Sequence, residues 1–296
     1  MTYTGRTPVV AVGVDGSAEA LEAARYAAAV AREREWDLMV VHGYPMPPAT
    51  PVTFASYLTS TRRDADRLVD EVVSGLQLGP RTKILRVITS SGLVPTLRDV
   101  SAEVSLLVLG RHHFDLVDLL LTGRVAPAVT AVARCPVVVV PPGWSRRRLS
   151  GAPVVVALDV EGPGRPALRL AFDEAERQHA EVVALHAVPR LEGSSFDAEQ
   201  ASLEEVLAGA KQDHPDVRVR TLLVPGDPAE RIVEESVHAA LMVVGRPHRS
   251  HRLGSWSRSV ARAVLDRSFC PLVIAPPSTS RPEDGGRPEA RVASRG

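Results

Sequence analysis

The sequence predicts an α/β protein made of two tandem Rossmann-like domains, each a five-stranded parallel sheet with helices on both faces. Two observations predict this fold. The chain repeats itself, and its apolar runs are continuous and are separated by segments whose apolar residues recur at helical intervals. Because continuous apolar strands must be covered on both faces, they are typical of a parallel sheet enclosed by helices.

The repeat is visible when the chain is compared with itself. The first copy opens with PVVAVGVD at 8–15, and the second opens with APVVVALD at 152–159. Later segments match in the same order: 40–43 with 184–187, 106–113 with 241–248, and 133–140 with 268–275. These matches predict a duplicated domain.

The predicted domains are residues 1–142 and 153–277, since 296 residues suit two domains of ordinary size. Residues 143–152 are the predicted linker. The stretch around it (PPGWSRRRLSGA) mixes proline, glycine and three arginines, which is typical of an exposed connector. Residues 278–296 combine proline, glycine and charge with little apolar content, so we expect a disordered tail.

Composition argues against several classes of function. The 35 Lys and Arg residues balance 35 Asp and Glu residues, so no global field draws the protein to nucleic acid or membranes, and any anion site must be local. The apolar runs are far shorter than a membrane span, and the first residues lack a signal core, so we expect a cytoplasmic protein. Cys135 and Cys270 lack the close partners of a metal site or a disulfide framework.

The elements of the first copy follow one another as strand and helix. The opening apolar run ends at Asp15 and predicts the first strand. Alanines recur at helical intervals over 20–35 behind Ser17, a preferred N-cap, so a helix follows, and Leu38–Val41 predicts the second strand. The later predictions are a helix near 60–76, a strand at 82–88, a helix at 95–103, a strand at 106–109, a helix that begins near 122–126 and a strand at 136–140.

The candidate site lies where open parallel sheets bind ligands, at the carboxyl ends of strands near the switch in winding direction. Asp15 closes the first strand, and its carboxylate either contacts a ribose or adenine or only caps the following helix. Gly110 closes the fourth strand and leads through a loop to Gly123, where a helix begins. Because glycine turns and helix N-termini can hold phosphate oxygens with backbone N–H groups, this is the layout of a phosphate loop.

Several motifs resemble those of universal stress proteins: GVDGS at 13–17, His42 after the second strand, and the segment from Gly110 through Gly123 to CPVVVV at 135–140. The resemblance covers both halves. It implies a non-enzymatic stress-response protein that binds an adenine nucleotide of the ATP type, which Mg²⁺ can accompany, mainly in the first domain. In nucleotide-binding members of the family, the phosphate loop reads Gly, two residues, Gly, nine residues, Gly, then Ser or Thr. The Asp after the first strand and the residue after the His contact the nucleoside.

This resemblance assigns the nucleotide-binding positions residue by residue. In the first copy they are Asp15, Gly43, Gly110, His113, Gly123 and Arg124, and in the second they are Asp159, Gly245, His248, Arg258 and Ser259. Each phosphate loop keeps two of the four family positions. A side chain in place of glycine blocks close backbone approach, so both loops depart from the family pattern. The second copy also lacks Gly-Ser after its Asp, and we expect it to be the weaker site.

A different interpretation builds the anion site from charged side chains, because arginine forks pair well with phosphate. The alternatives are a solvated basic loop and a contact with the other domain. The residues concerned are Arg124, Arg246, His248, Arg249, His251, Arg252 and Arg258.

The remaining candidates are predicted to be structural. His42 and His186 end buried strands without a recognisable nucleophile arrangement, so we expect hydrogen-bonded histidines rather than general bases. Cys135 and Cys270 are expected to be small buried packing residues. The proline-rich loop 45–57 either lids the first site or only covers the domain face.

A rival to nucleotide binding is a nucleotide-independent interaction or dimerisation module. A slow ATPase ranks last, because the sequence has no P-loop lysine. We expect the two domains to pair within the chain through their last strands, 137–140 and 272–275, with pseudo-two-fold symmetry, and a homodimer stays open. Three arginines at 146–148 without an aromatic platform are weak evidence for nucleic acid.

Overall fold

The structure is a computed structural model that describes residues 7–44, 54–111, 125–144, 151–160, 164–188, 194–246 and 258–277. It confirms the predicted fold class, since each copy is a five-stranded parallel sheet with helices on both faces. The predicted tail, the three arginines of the connector and most of the proline-rich loop lie outside the described residues. The part of the chain that is described contains no helix long and apolar enough to cross a membrane.

Strands and helices alternate through both copies. The first copy contains β1 (Val9–Gly13), α1 (Ala18–Arg34), β2 (Asp37–Gly43), α2 (Phe54–Ser74), β3 (Ile84–Thr89), α3 (Leu93–Val100), β4 (Leu106–Gly110), α4 (Val125–Val132) and β5 (Val137–Val140). The second contains β6 (Val154–Ala157), α5 (Arg165–Gln178), β7 (Val182–Val188), α6 (Ser194–Asp213), β8 (Val219–Pro225), α7 (Pro228–Glu235), β9 (Leu241–Gly245), α8 (Arg258–Arg267) and β10 (Leu272–Ala275). Helix α2 begins at Phe54 instead of near residue 60, so residues 54–57 of the predicted proline-rich loop are helical. The stretch from Val52 to Ser74 contains no proline that would oppose the helix.

All ten strands form one sheet in the order β3-β2-β1-β4-β5-β10-β9-β6-β7-β8. Pairing is parallel within each copy and antiparallel between β5 and β10, where Val138 lies opposite Val273. This β5–β10 junction is called the seam below. The pairing of last strands expected from the sequence is therefore present within the chain, and a homodimer stays a prediction.

The sheet carries a hydrophobic core on each face, and both cores extend through the two copies. One core lies under α1, α2, α5 and α6 and includes Val138 and Val273. The other lies under α3, α4, α7 and α8 and includes Val139 and Leu272. Because neighbouring strand residues point to opposite faces, β5 and β10 contribute to both cores, and the seam is buried on both faces.

Helices α1 and α5 end in the same way, which fixes their equivalence. Glu35 and His179 follow the two helices with left-handed backbones, at φ values of 52° and 51°. Their N–H groups bond to Ala31 O and Ala175 O respectively, each four residues back. Positions counted back from Glu35 in the first copy therefore correspond to positions counted back from His179 in the second.

A buried ion pair joins the two copies across α1 and α5. The Arg34 guanidinium donates to Glu174 Oε2 at 2.5 Å, and both side chains are mostly buried. Arg177 and Gln178 also donate to the Glu174 carboxylate. Burial lowers the pKa of Arg34, and the Glu174 charge opposes this shift. Glu174 thus accepts from three donors and satisfies a cation that α1 places in the interior.

The start of the connector packs against α1, which corrects the prediction that the connector is exposed throughout. Gly143 N–H donates to Glu22 Oε2 at 2.9 Å. The Trp144 ring, partly buried, meets the Tyr26 ring edge to face with 5.0 Å between centroids. The prolines and arginines around Trp144 give the segment the composition of a linker. Burial of the large indole ring is nevertheless favourable, because it removes apolar surface from water.

Replacing Glu174 by alanine leaves the buried Arg34 guanidinium without its carboxylate. We expect the free energy of unfolding to fall by about 3 kcal/mol, because a buried charge that loses its partner is strongly destabilising. Urea-induced unfolding followed by circular dichroism measures the change. Asp66→Ala is the control, because Asp66 pairs with Arg62 on the exposed face of α2 and its loss should cost less than about 1 kcal/mol. Equal losses in the two variants would contradict this account.

Candidate functional site

The structure brings three of the predicted site residues to one edge of the first sheet. Gly13 of β1 pairs with Val41 of β2, and Val12 pairs with Val108 of β4. Asp15 lies two residues after Gly13, Gly43 lies two residues after Val41, and Gly110 lies two residues after Val108, so all three come at the carboxyl ends of adjacent strands. Strand order places β2 and β4 on either side of β1, so the winding direction switches between β1 and β4. This is where an open α/β sheet leaves a crevice for a ligand.

Asp15 holds a tight turn at this edge. Its Oδ1 accepts hydrogen bonds from Ser17 N–H at 3.0 Å and from the Ser17 hydroxyl at 2.6 Å. Ser17 Oγ in turn accepts from Ala20 N–H, so Ser17 is the N-cap of α1, as predicted. Gly16 between them has φ 91°, a conformation that favours glycine. Asp15 therefore orients the cap instead of being the cap, and it is exposed to solvent.

Gly110 and Gly43 allow close backbone packing. A Cβ atom at Gly110 would lie 2.5 Å from Glu19 O in the first turn of α1, and one at Gly43 would lie 2.8 Å from Leu93 N at the start of α3. Neither position has room for a side chain. The sequence interpretation gave Gly110 a phosphate-binding role only, whereas the structure supplies a packing reason for glycine there.

The equivalent edge of the second copy is described in part. Ala157 pairs with Leu185, and Val156 pairs with Val243, so Asp159 and Gly245 hold the positions of Asp15 and Gly110. At Gly245, however, no described atom lies within 4 Å of the place that a Cβ atom would take, in contrast to Gly110. Residues 161–163, which include the equivalent of Glu19, lie outside the described residues, so the close helix approach at Gly110 is a feature described for the first copy alone.

Both strand-end histidines are hydrogen-bonded to backbone carbonyls, as predicted. His42 Nδ1 lies 2.7 Å from Val14 O, and His186 Nδ1 lies 2.9 Å from Leu158 O. Because a carbonyl oxygen only accepts, Nδ1 carries the proton in each ring. Sequence reasoning missed Glu199, whose Oε2 is 3.2 Å from His186 Nε2. Glu199 lies in α6, and no local pattern signals that this helix packs over β7.

The side chains of Arg111 and Arg246 extend across the seam and contact the other copy. Arg111 Nη1 donates to Ser268 O at 2.5 Å in the second copy, and Arg246 Nη2 donates to Ala133 O in the first. Burial lowers the pKa of both guanidinium groups. Of the alternatives for the basic residues, a contact with the other domain is the one that these bonds support for Arg246.

The remaining phosphate-loop residues are not placed. Those outside the described residues are His113, Gly123, Arg124, His248, Arg249, His251 and Arg252. Arg258 and Ser259 lie in the first turn of α8. Their assignment stays a prediction. Among the described residues, no three His, Cys, Asp or Glu side chains are grouped as a metal ion would require.

The sequence model of the universal stress protein family matches residues 8–141 and 152–276. A universal stress protein of Mycobacterium tuberculosis is 33% identical to this chain over an alignment of 289 residues that covers 90% of this chain and 96% of that protein. A second universal stress protein of that organism is 30% identical over an alignment of 286 residues, and the match covers 90% of this chain and 95% of that protein. The crystal structure of a universal stress protein from Archaeoglobus fulgidus has a TM-score of 0.67 at 16% identity and covers 93% of this chain and 100% of its own.

The two glycines that end β4 and β9 provide a matched test of the packing. Gly110→Ala pushes a methyl group against the Glu19 carbonyl, and we expect the free energy of unfolding to fall by about 2 kcal/mol. The methyl group of Gly245→Ala has no described atom within 4 Å, and we expect this variant to change the free energy of unfolding by less than about 0.5 kcal/mol. Thermal or urea unfolding measures both. Equal stability of the two variants would show that the packing at residue 110 tolerates a Cβ atom and does not require glycine.

The two cysteines are buried, and burial raises the pKa of both Cys135 and Cys270 to about 12. At pH 8 we expect a disulfide reagent such as DTNB to react with neither thiol in the folded chain and with both in urea, because the thiolate is the reactive form. The unfolded thiols titrate near pH 8.5, so stability should fall as the pH rises from there toward 12. Rapid reaction of the folded protein at pH 8 would contradict this expectation.

Proposed function

Because this chain belongs to the universal stress protein family, we propose that it binds an adenine nucleotide of the ATP type in its first domain and acts as a non-catalytic sensor or regulator in the stress response. Occupancy of the site is the signal in this proposal. The observation that carries it is the exposed Asp15 carboxylate, which Gly16 and Ser17 hold at the switch point of the sheet. A carboxylate in that place can accept hydrogen bonds from ribose hydroxyls.

The described residues fit the nucleoside end of such a ligand. The Asp15 carboxylate can accept hydrogen bonds from the nucleoside. Gly43, at the end of the neighbouring strand β2, has no side chain to keep a nucleoside away from the backbone. The phosphates are assigned to Gly110, His113, Gly123 and Arg124, of which only Gly110 is described. When a nucleotide is bound, Mg²⁺ supplies charge neutralisation at its phosphates.

We propose that the second site is the weaker of the two. Asp159, Gly245 and Ser259 are its assigned residues, and Ala187 occupies the place that Gly43 holds in the first copy. A side chain at Ala187 restricts the close backbone approach that Gly43 allows, and the second copy lacks Gly-Ser after Asp159.

A second candidate function is a nucleotide-independent interaction or dimerisation module. The observation in its favour is that packing against Glu19 explains Gly110 without a ligand. A glycine retained for packing is no evidence for phosphate binding. Nucleotide titration of the intact chain separates the two candidates.

Calorimetric titration with Mg-ATP should detect binding that Asp15→Asn weakens by roughly tenfold or more, the effect of losing a charged hydrogen bond. Asparagine keeps an acceptor oxygen for Ser17, so the turn survives while the charge is lost. Asp159→Asn is the matched variant in the second copy and should change the affinity less. Ser17→Ala tests the helix cap alone and should weaken binding less than Asp15→Asn does.

Each outcome of this titration has a distinct meaning. If the native chain binds no adenine nucleotide at millimolar concentration, the interaction module is the better account. If Asp159→Asn weakens binding as much as Asp15→Asn, the first domain is not the main site. If Ser17→Ala reproduces the full loss, the effect comes from the helix start rather than from the carboxylate.

A further inference from the structure

Two arginines make reciprocal contacts across the seam. Arg111 directly follows β4, and its N–H donates to Val140 O of β5 at 2.9 Å, while its side chain reaches Ser268 O beyond α8. Arg246 directly follows β9, and its N–H donates to Ala275 O of β10 at 2.9 Å. The Arg246 side chain reaches Ala133 O beyond α4. Each backbone is thus fixed in its own copy, and each guanidinium lies in the other.

The two accepting carbonyls lie at helix ends. Ala133 N–H bonds to Val129 O at 2.8 Å, and Ser268 N–H bonds to Val264 O at 2.9 Å, so both residues continue the last turn of a helix. Carbonyls in a last turn have no partner within the helix and carry the negative end of the helix dipole. At each helix end, an arginine of the other copy donates a hydrogen bond to the free carbonyl and places a positive charge at the negative end of the dipole.

Both arginines are held in place by burial as well as by these bonds. The Nε atoms of Arg111 and Arg246 are buried and have no hydrogen-bond partner among the described residues. Burial of a cation with an unsatisfied donor costs free energy, and hydrogen bonds from its other N–H groups offset part of this cost. Among the described residues, the carbonyl at the helix end is the hydrogen-bond acceptor of each guanidinium, so we expect loss of this contact to release the side chain from the seam.

The turn after each helix is also tied to its own copy. Ser101 Oγ accepts from Arg134 N–H at 2.9 Å, two residues beyond the end of α4. Ser236 Oγ accepts from Phe269 N–H at 2.9 Å, two residues beyond the end of α8. Both serines are buried and precede β4 and β9 respectively. The end of each helix is therefore fixed from two directions, by a serine of its own copy and an arginine of the other.

We propose that Arg111 and Arg246 are positioning residues that couple the two candidate sites, each by holding the helix that follows the other copy's candidate phosphate loop. Arg246 holds the end of α4, the helix after the first candidate loop, and Arg111 holds the end of α8, the helix after the second. Each arginine also stands at the start of its own copy's loop. The coupling of helices rests on the described contacts alone, and its effect on ligand binding rests on the proposed function.

Hydrogen exchange of the full-length, ligand-free chain tests the coupling. Arg246→Met should speed exchange of amides at 125–133 in the first copy by about tenfold, and 258–268 should stay as in the native chain. Arg111→Met should give the mirror result. Arg246→Lys should restore part of the protection, because lysine keeps a cationic donor for the carbonyl. Arg86→Met removes an arginine paired with Asp70 at the outer strand and should change neither segment.

The coupling is overturned if Arg246→Met changes exchange only within its own copy, if both helices change equally, or if Arg86→Met has the same effect. Where the native chain binds Mg-ATP, Arg246→Met should also weaken binding by roughly tenfold relative to Arg86→Met, and an unchanged affinity overturns the link to the site. Since exchange is measured without ligand, failure of the nucleotide proposal and failure of the coupling are separate results.

Discussion

The antiparallel pairing of β5 with β10 is the constraint on which the rest of the structure depends. Each strand is only four residues long, yet the pairing converts two sheets into one and lets a hydrophobic core extend across both copies on each face. Because the pairing is antiparallel, the carboxyl ends of the first copy's strands lie at the same edge as the amino ends of the second copy's strands. The two candidate sites therefore open at opposite edges, and Arg111 meets the residue that ends α8.

The fold could be predicted because its main determinants are local and repeated. Continuous apolar strands signal burial on both faces, and Ser17 marks the start of α1. Glu174 and Trp144 could not be predicted in the same way. A glutamate in a polar helix has the pattern of a solvated residue, and a tryptophan between proline and arginines has the pattern of a linker. Only the partners supplied by tertiary structure, Arg34 and Tyr26, change those interpretations.

The candidate site was predictable in its location and less so in its detail. The rule that strand ends converge at the switch point brings Asp15, Gly43 and Gly110 together. The sequence could not distinguish a glycine that a ligand requires from one that packing requires, since the residue type is the same in both cases. The structure shows the packing reason for Gly110, because the carbonyl of Glu19 lies where a Cβ atom would be. Nor could it show that Arg246 contacts the other domain, because its acceptor is 113 residues away.

The ion pair between Arg34 and Glu174 shows what joining two copies in one polypeptide permits. Counted back from Glu35 and His179, the counterpart of Glu174 is Val30, and the counterpart of Arg34 is Gln178. In a dimer of identical subunits, every interface residue occurs twice about the axis, so a buried acid would bring a second buried acid with it. A fused chain is free of that symmetry. It can place one charge on one side and leave the mirror position apolar, and each half can then change independently of the other.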